Sequence, residues 1–578
     1  MAAVLVTVAY MLLALQAAQP GPTAQPAPPA RTMVVSVVGT NDLHGHVEAL
    51  PRFGGYLRNL RRVRGKDGGA VVLVDAGDMF QGTLASNLGE GAAVIRAYNA
   101  LGYSAAAIGN HEFDFGPEGP AATPLSPSDD PRGALKARAA EARFPLLAAN
   151  LTEAPANLPV AWRNVRPTAV ITVGRLKVGI IGVTTTGTPR TTIAINFQGL
   201  TVTPLAAAIA AEARRLRKGD AGADLVVVIA HAGGDCRQLT DPSDVTSCDK
   251  QGEIFQVARA LPTGAVDVIV AGHTHEAVAH RVAGIPVIES YSGGRAFGRV
   301  DVTFTLGDGA ALRQRPRLLE AKIFAPQTIC TDGPAGTGDT CGDQHYEGAP
   351  VVADQRVAAV IAPDVKRAAV LRQERLGPTV TAPLTRDRKK ESPLGNLFAD
   401  LMRAATPGAD LAITNGGGLR SDIPSGPLTY GQLFEAYPFD NRLFTVNMTG
   451  ADLRELLAQN LSRGGAIVSI SGIRVSARCE GTAIVTSVVR DPGGAPIGPD
   501  EHLTIVTSDF LATGGDGLFS ESVQGTGHGE GIGIRDAMVA LLRARGGVIG
   551  GDQPALFDSG HPRISYPGQR PVRCAGAR

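Results

Sequence analysis

From Met33 to about Phe324, short runs of Val, Ile and Ala alternate with longer Ala/Leu/Arg segments. The runs Val34–Val38, Val71–Val74, Ala105–Ile108, Leu225–Ala230 and Val268–Ala271 are almost wholly apolar, as strands buried on both faces of a sheet require. Ala206–Arg217 has helical character and sits between a strand near Val178–Val183 and the run at Leu225–Ala230. This alternation predicts α/β layering. Two polar insertions interrupt it, a Pro/Ser/Asp-rich surface loop at Pro117–Arg132 and a second loop at Asp235–Gln251.

After Gly/Thr/Asp-rich Ala325–Ala349, the pattern changes. Val357, Val360, Ile361, Val365, Ala368 and Leu371 recur at helical spacing, and Pro363 is expected to kink or break that helix. A second domain follows from about Gly377 to Leu542, with strands near Leu443–Val446 and Leu503–Thr507. Its helix at Ala451–Leu461 opens on an approximate capping box of Thr449 and Asp452. The expected organisation is a first domain at 33–324, a helical linker at 325–376, an α+β domain at 377–542 and a tail at 543–578.

Ahead of the first strand, Val4–Ala18 is apolar and Gln19–Ala30 is rich in Pro, Ala and Gln. This reads as a signal peptide at 1–20 and a flexible lead-in at 21–32, although no Lys or Arg precedes the apolar core. The run is shorter than the ~20 residues that span a bilayer, so export to the periplasm or medium without a membrane anchor is expected. The cysteines agree with an oxidising compartment. Cys236 and Cys248 flank one polar loop, Cys330 and Cys341 another, leaving Cys479 and Cys574 for a long-range bridge; six cysteines allow about fifteen pairings, and this is the simplest. With 55 basic and 54 acidic residues the net charge is +1, which excludes the broad basic field of a nucleic-acid polymer binder.

Polar clusters follow the five apolar runs directly: Asp42-Leu43-His44, Gly77-Asp78, Gly109-Asn110-His111-Glu112, His231 and Gly272-His273-Thr274-His275. Ligands of open α/β sheets bind outside the carboxyl ends of strands, so these clusters are expected to converge. Imidazole, carboxylate and amide oxygen together suit Zn, Mn, Fe or Co, not the all-oxygen cage of Ca. Asp42 and His44, two apart, can face one ion from a single extended turn. Asp78 has two oxygens with which to bridge a pair; Asn110, His231 and His273 would complete one ion, and His275 the other. Two ions about 3.5–4 Å apart can hold a hydroxide and draw charge from a phosphoryl oxygen. His111 and Asp114 are three apart, so Asp114 can orient the imidazole if the turn is helical.

As an ordered set, these motifs resemble the calcineurin-like metallophosphoesterase superfamily. Thr40-Asn41-Asp42-Leu43-His44-Gly45 and Gly109-Asn110-His111-Glu112-Phe113-Asp114 look like its secreted 5′-nucleotidase branch, which includes bacterial UDP-sugar hydrolase and animal ecto-5′-nucleotidase. The resemblance implies a four-layer α/β/β/α domain with a second, substrate-binding α+β domain. It implies one ion on Asp42, His44, Asp78 and His275, another on Asp78, Asn110, His231 and His273, and His111–Asp114 as the catalytic dyad.

Three clusters of the second domain are candidate substrate contacts: Arg386–Glu391, Asn415–Arg420 and the pair Tyr437–Asn441 with Ser508–Gly517. A Gly-rich turn lets amides approach an anion, and Arg is suited to phosphate. Phe439 and Phe510 come from separate segments and can stack a base. By the resemblance, Arg388 and Arg420 bind phosphate, the two phenylalanines sandwich the base, and Asn415, Asn441 and Asp516 bond base or ribose. Leu384 stands where the UDP-sugar hydrolase pattern has a further Arg; Arg386 and Lys389 are the candidate substitutes. The expected activity is release of phosphate from nucleoside 5′-phosphates. A 2′,3′-cyclic-nucleotide phosphodiesterase with 3′-nucleotidase activity, a UDP-sugar hydrolase, a thiosulfohydrolase and a non-catalytic nucleotide-binding protein are the alternatives.

Overall fold

The computed structural model describes residues 31–119, 121–124, 126–218, 222–306, 316–330, 343–520, 523 and 529–574. The expected signal and most of the lead-in lie outside these residues, as does Cys341 with its expected pairing to Cys330. Disulfides Cys236–Cys248 and Cys479–Cys574 are formed.

Two sheets pack face to face in the first domain. One runs Arg317–Thr328, Ala296–Leu306, Arg31–Thr40, Ala70–Asp75, Ala105–Ala107, Leu146–Leu147, Val165–Arg166. The other runs Ala277–Val282, Ile285–Ser290, Val268–Ala271, Leu225–His231, Leu176–Thr184, Thr168–Val173. The strands that precede the polar clusters run parallel to one another within each sheet. Val35, Val37, Val72 and Val74 of the first sheet meet Ile180, Val227, Ile229, Val268 and Val270 of the second in a common apolar layer. Their other faces are covered by helices, Leu50–Lys66 and Ala92–Leu101 on the first sheet, Leu205–Arg217 and Glu253–Ala260 on the second. The result is the α/β/β/α order, and burial on both faces explains why these strands lack polar alternation. Leu205, Ile209, Ala213 and Leu216 form the buried stripe of Leu205–Arg217, while Arg214, Arg215 and Arg217 lie at its carboxyl end, where the helix dipole favours cations.

Three expectations change. Gln355–Arg372 is one continuous helix through Pro363. Its buried residues, Val357, Ile361, Asp364 and Ala368, lie on one face, against Ala92–Leu101 and Leu50–Lys66, and Asp364 pairs with Arg96. Pro363 is on the exposed side, where the carbonyl it leaves unpaired can meet water. The expected boundary at 324 falls inside Arg317–Thr328, which is paired with Ala296–Leu306. Residues after Leu542, expected as a tail, add Val548–Ile549 and Ile564–Ser565 to second-domain sheets and are tied down by Cys574.

The second domain centres on a sheet ordered Val468–Ser471, Leu411–Asn415, His502–Ser508, Arg442–Thr449, Gly529–Gly533. Helix Gly450–Ser462 opens on the Thr449–Asp452 capping box, with both reciprocal bonds made.

Candidate active site

All five polar clusters meet at one end of the sandwich, but they come from both sheets. Asp42, His44, Asp78 and Asn110 follow strands of the first sheet; His231, His273 and His275 follow strands of the second. They form two groups whose ligand atoms lie close together, Asp42 with His44 and His275, and Asp78 with His231 and His273. In the first, Nε2 of His44 lies 2.9 Å from Nε2 of His275, and the latter is 3.5 Å from Asp42 Oδ1. In the second, His231 Nε2 lies 2.9 Å from Asn110 Oδ1 and 3.2 Å from His273 Nδ1. Asp78 joins them: its Oδ2 is 3.2 Å from His231 Nε2 and 3.8 Å from His44 Nε2, while its Oδ1 accepts the amide of His111 at 2.9 Å.

The donor set fits a pair of divalent cations. His44 Nδ1–H donates to the Gln81 carbonyl at 2.9 Å, and His231 Nδ1–H to that of Ala76 at 3.0 Å. A carbonyl partner fixes the Nδ1–H tautomer and leaves the Nε2 lone pair facing the centre, the usual outer support of a metal-binding histidine. Asn110 Nδ2 donates to the Thr191 carbonyl at 3.0 Å, which turns its Oδ1 inward. Charge points the same way. Burial, reinforced by Asp78 and opposed by His231, raises Asp42 to about 7; burial and Asp78 raise Glu112 to about 8. Burial lowers His273 to about 3 and His275 to about 4, which keeps both neutral. For His231, burial is outweighed by Asp78 and the carboxylates around it, and the imidazole rises to about 10. A dense buried anion cluster that captures a proton in this way is a site for cations, which displace that proton on binding.

Local backbone shape explains how neighbours in sequence reach one centre. Asp42, His44, Asp78, His273 and His275 all have positive φ, 49°, 48°, 56°, 85° and 62°. Asp42 and His44 are therefore left-handed rather than part of an extended turn, and their side chains meet in one group. Such conformations cost about 1–3 kcal/mol each and persist where surrounding bonds hold them. Here the bonds come from residues outside the candidate ligand set. Glu112, 1% exposed, accepts the amides of Asp78 at 2.9 Å, Met79 at 2.6 Å and Gly109 at 2.7 Å. Glu289 accepts Gly234 N at 3.0 Å and Thr274 Oγ1 at 2.6 Å, fixing the turn between His273 and His275. Asn41 Nδ2 donates to Asp42 Oδ2 at 2.7 Å. The places of Glu112 in the third cluster and of Asn41 beside Asp42 are the hints the sequence carries.

Gly109 is compulsory for steric reasons: a Cβ there would lie 2.2 Å from Asp78 Oδ1 and 2.5 Å from Asp78 N. Gly109→Ala is expected to push Asp78 out of place and lower metal affinity by about 10–100-fold, the cost of disturbing a ligand's support. Metal titration of the apo protein measures it, and unaltered affinity would show that Asp78 is not so constrained.

His111 opens a short 3₁₀ turn, His111–Phe113, and its Nδ1 lies 2.5 Å from Asp114 Oδ2. Burial opposes protonation of His111, but Asp114 and Asp78 outweigh it and raise the imidazole. The opposite wall is second domain. A cleft of about 460 Å³ is lined by Asp78, Asn110, His111, Asp114, His273 and His275 on one side and by Arg388, Asn415, Arg420, Phe439, Asn441, Phe510 and Asp516 on the other. Phe439 lies 5.9 Å from the His111 ring, and Gln81 Nε2 donates across the domain junction to the Pro438 carbonyl at 2.9 Å. Asn415 Nδ2 donates to Asp516 Oδ2 at 2.6 Å, and Phe510 lies over the backbone of Gly515, where a Cβ would come within 2.6 Å of its ring.

Two details differ from expectation. Only part of the Asn415–Arg420 turn can serve as an amide cradle, because the amides of Gly416, Leu419 and Arg420 are spent on the carbonyls of Ile467, Gly416 and Ala436, while Gly417 and Gly418 border the cleft. Neither candidate substitute for the missing Arg reaches the cleft: Arg386 turns to the Asp422 carboxylate and the Leu419 carbonyl, Lys389 is not in the lining, and Leu384 is buried in the core. Arg463 also borders the cleft and donates to the Gly517 carbonyl at 3.3 Å, which leaves Arg388 and Arg420. Neither has an ion pair or side-chain hydrogen bond among the described residues; burial and the neighbouring Arg388 lower Arg420 to about 10.

The two domains match different family models. Residues 35–277 match the calcineurin-like phosphoesterase model, and residues 369–522 match the 5′-nucleotidase C-terminal domain. Protein UshA of Yersinia enterocolitica is 26% identical over 524 residues, which is 84% of this chain and 86% of that protein. The trifunctional nucleotide phosphoesterase protein YfkN of Bacillus subtilis is 27% identical over 544 residues, 87% of this chain; the chain spans 33% of that longer protein. The solved structure of a 5′-nucleotidase precursor from Thermus thermophilus superposes with a TM-score of 0.67 at 26% identity, over 92% of this chain and 99% of that one. With both domains matched in order, the chain belongs to the 5′-nucleotidase family of calcineurin-like metallophosphoesterases.

Proposed function

We propose that this protein releases phosphate from nucleoside 5′-phosphates with the help of two divalent ions. One observation carries the reading: the metal-ligand cluster, the His111–Asp114 pair, two unpaired arginines and two aromatic rings line one cleft. When bound, the ions supply an activated water and withdraw charge from the phosphoryl oxygens. Asp42, His44, Asp78 and His275 would hold one; Asp78, Asn110, His231 and His273 the other. Arg388 and Arg420 bind and orient the phosphate. His111, held through Nδ1 by Asp114, has Nε2 available to meet charge that develops on the phosphate or the leaving oxygen. Phe439 and Phe510 face the base, and Asn415 with Asp516 offers amide and carboxylate groups to base or ribose. Asn441 supports the wall, since its amide donates to Asp509 at 2.9 Å and its carbonyl oxygen accepts from Tyr437 at 3.3 Å.

Leu384, buried in the core, supplies no cation to the cleft, whose bordering arginines among the described residues are Arg388, Arg420 and Arg463. The aromatic pair has no task in a thiosulfohydrolase. Disulfides and the sequence of residues 1–20 support an exported enzyme, periplasmic or secreted; among the described residues no helix is long and apolar enough to cross a membrane.

A panel of AMP, ATP, UDP-glucose and 2′,3′-cyclic AMP, with and without chelator, tests the reading. Chelator-sensitive release of phosphate from AMP is expected to be fastest. Protein loaded with Mn or Zn that released phosphate from none of the four would end the proposal, and faster turnover of the cyclic substrate would redirect it. Phe510→Ala is expected to raise KM for AMP by about 5–150-fold, the worth of stacking one base, and to leave hydrolysis of p-nitrophenyl phosphate within about twofold. Equal losses on both substrates would remove Phe510 from base binding.

A further inference from the structure

Asp114 has a second partner, on a segment that no sequence motif singled out. Its Oδ2 lies 2.5 Å from His111 Nδ1, and its Oδ1 accepts the hydroxyl of Thr192 at 3.0 Å. Thr192 is 1% exposed. It follows the short helix Thr188–Thr191, and Thr191–Ile193 borders the cleft. The preceding residue is also engaged, since the Thr191 carbonyl accepts Asn110 Nδ2 at 3.0 Å. On its outer side the same helix meets the second-domain turn Gly515–Gly517, next to Phe510.

A carboxylate held at one oxygen can rotate about its Cβ–Cγ bond. Bonded at both, Asp114 has a fixed plane, and the His111 ring it orients is fixed with it. We propose that Thr192 is a positioning residue for the reaction: its hydroxyl locks the Asp114 carboxylate and thereby holds His111 Nε2 toward the phosphate. Asn110 and Asp114, one at the metals and one at the dyad, are thus both aligned by adjacent residues of one segment, Thr191 through its carbonyl and Thr192 through its side chain. This inference rests on the role given above to His111.

The test is a double-mutant cycle on phosphate release from AMP. Thr192→Val keeps the shape and removes the hydroxyl. It is expected to lower kcat about tenfold, the worth of one buried hydrogen bond to a charged group, with KM within about twofold and metal content unchanged. Thr192→Ser restores most of the rate. On a His111→Ala background, Thr192→Val adds nothing, because the residue acts through His111. A full tenfold loss on that background, or no loss in the single variant, overturns the inference while leaving the proposed function standing. If His111→Ala itself has no effect on kcat, the role of the dyad fails first, and this inference with it. Thermal melts of all variants identify any whose loss comes from unfolding; should Thr192→Val fail to fold, Thr192→Ala in the same cycle decides the matter.

Discussion

Asp78→Asn is expected to abolish phosphate release from every nucleotide and to reduce the metal content of the protein from two ions to at most one. The expected fall in kcat/KM is on the order of a thousandfold or more, because a bridging ligand supports both halves of the site at once. The geometry is specific. Oδ1 is taken by the His111 amide at 2.9 Å, so Oδ2 alone lies between the His44 and His231 nitrogens, at 3.8 and 3.2 Å. Asn keeps the size but offers either a neutral oxygen or an NH₂ group at that point. The group is 1% exposed, so water cannot replace the lost charge. Metal analysis by atomic spectroscopy and a phosphate assay read the two effects. A variant that retained both ions and the parent rate would show that Asp78 does not bridge.

Arg420→Ala is the second large effect, a fall of about two orders of magnitude in kcat/KM for AMP. A hydrogen bond between charged partners contributes about 1.5–3 kcal/mol. Arg420 lies in a mostly desolvated place, where burial and Arg388 lower it to about 10. Its guanidinium is also 5.0 Å over the Phe439 ring, so its removal loosens one side of the base clamp by a cation–π contact of about 0.5–1 kcal/mol. The expected signature is a parallel loss of inhibition by inorganic phosphate, with adenosine binding weakened only severalfold. Arg388→Ala costs less, since Arg388 is exposed and its charge is better screened. If Arg420→Ala weakened adenosine as much as phosphate, the residue would belong to the base pocket instead.

Much of the candidate site is legible in the chain because its candidate ligands follow apolar strands directly, and strand direction carries each cluster to the same end of a sheet. Asp42, His44, Asp78, Asn110, His231, His273 and His275 all lie together at the cleft end of the sandwich. His111 and Asp114 were readable for a similar reason, since three-residue spacing on a helical turn brings them into contact. The boundary at 324 cuts a strand whose antiparallel pairing with the preceding strand, Ala296–Leu306, the apolar pattern does not show, and the strands after Leu542 pair with partners far away, Arg375–Val380 and Ile473–Glu480. The continuity of the linker helix through Pro363 likewise depends on the helices it covers. Local propensity could not report it.

The sequence by itself determined the ligand chemistry, the strand ends that present it, the capped helix of the second domain and the Arg and Phe residues suited to a nucleotide. Those are properties of residue type and short-range spacing, which the chain carries wherever it folds. Tertiary structure decided the rest. It brought two sheets together so that three histidines of one meet the carboxylates of the other, and it held five ligands in left-handed backbone through buried Glu112, Glu289 and Asn41. It turned Arg420 toward the cleft and Arg386 away, and it placed Thr192 on Asp114. Most of these are contacts across a long separation in sequence, and their energy exists only once the surrounding core has packed.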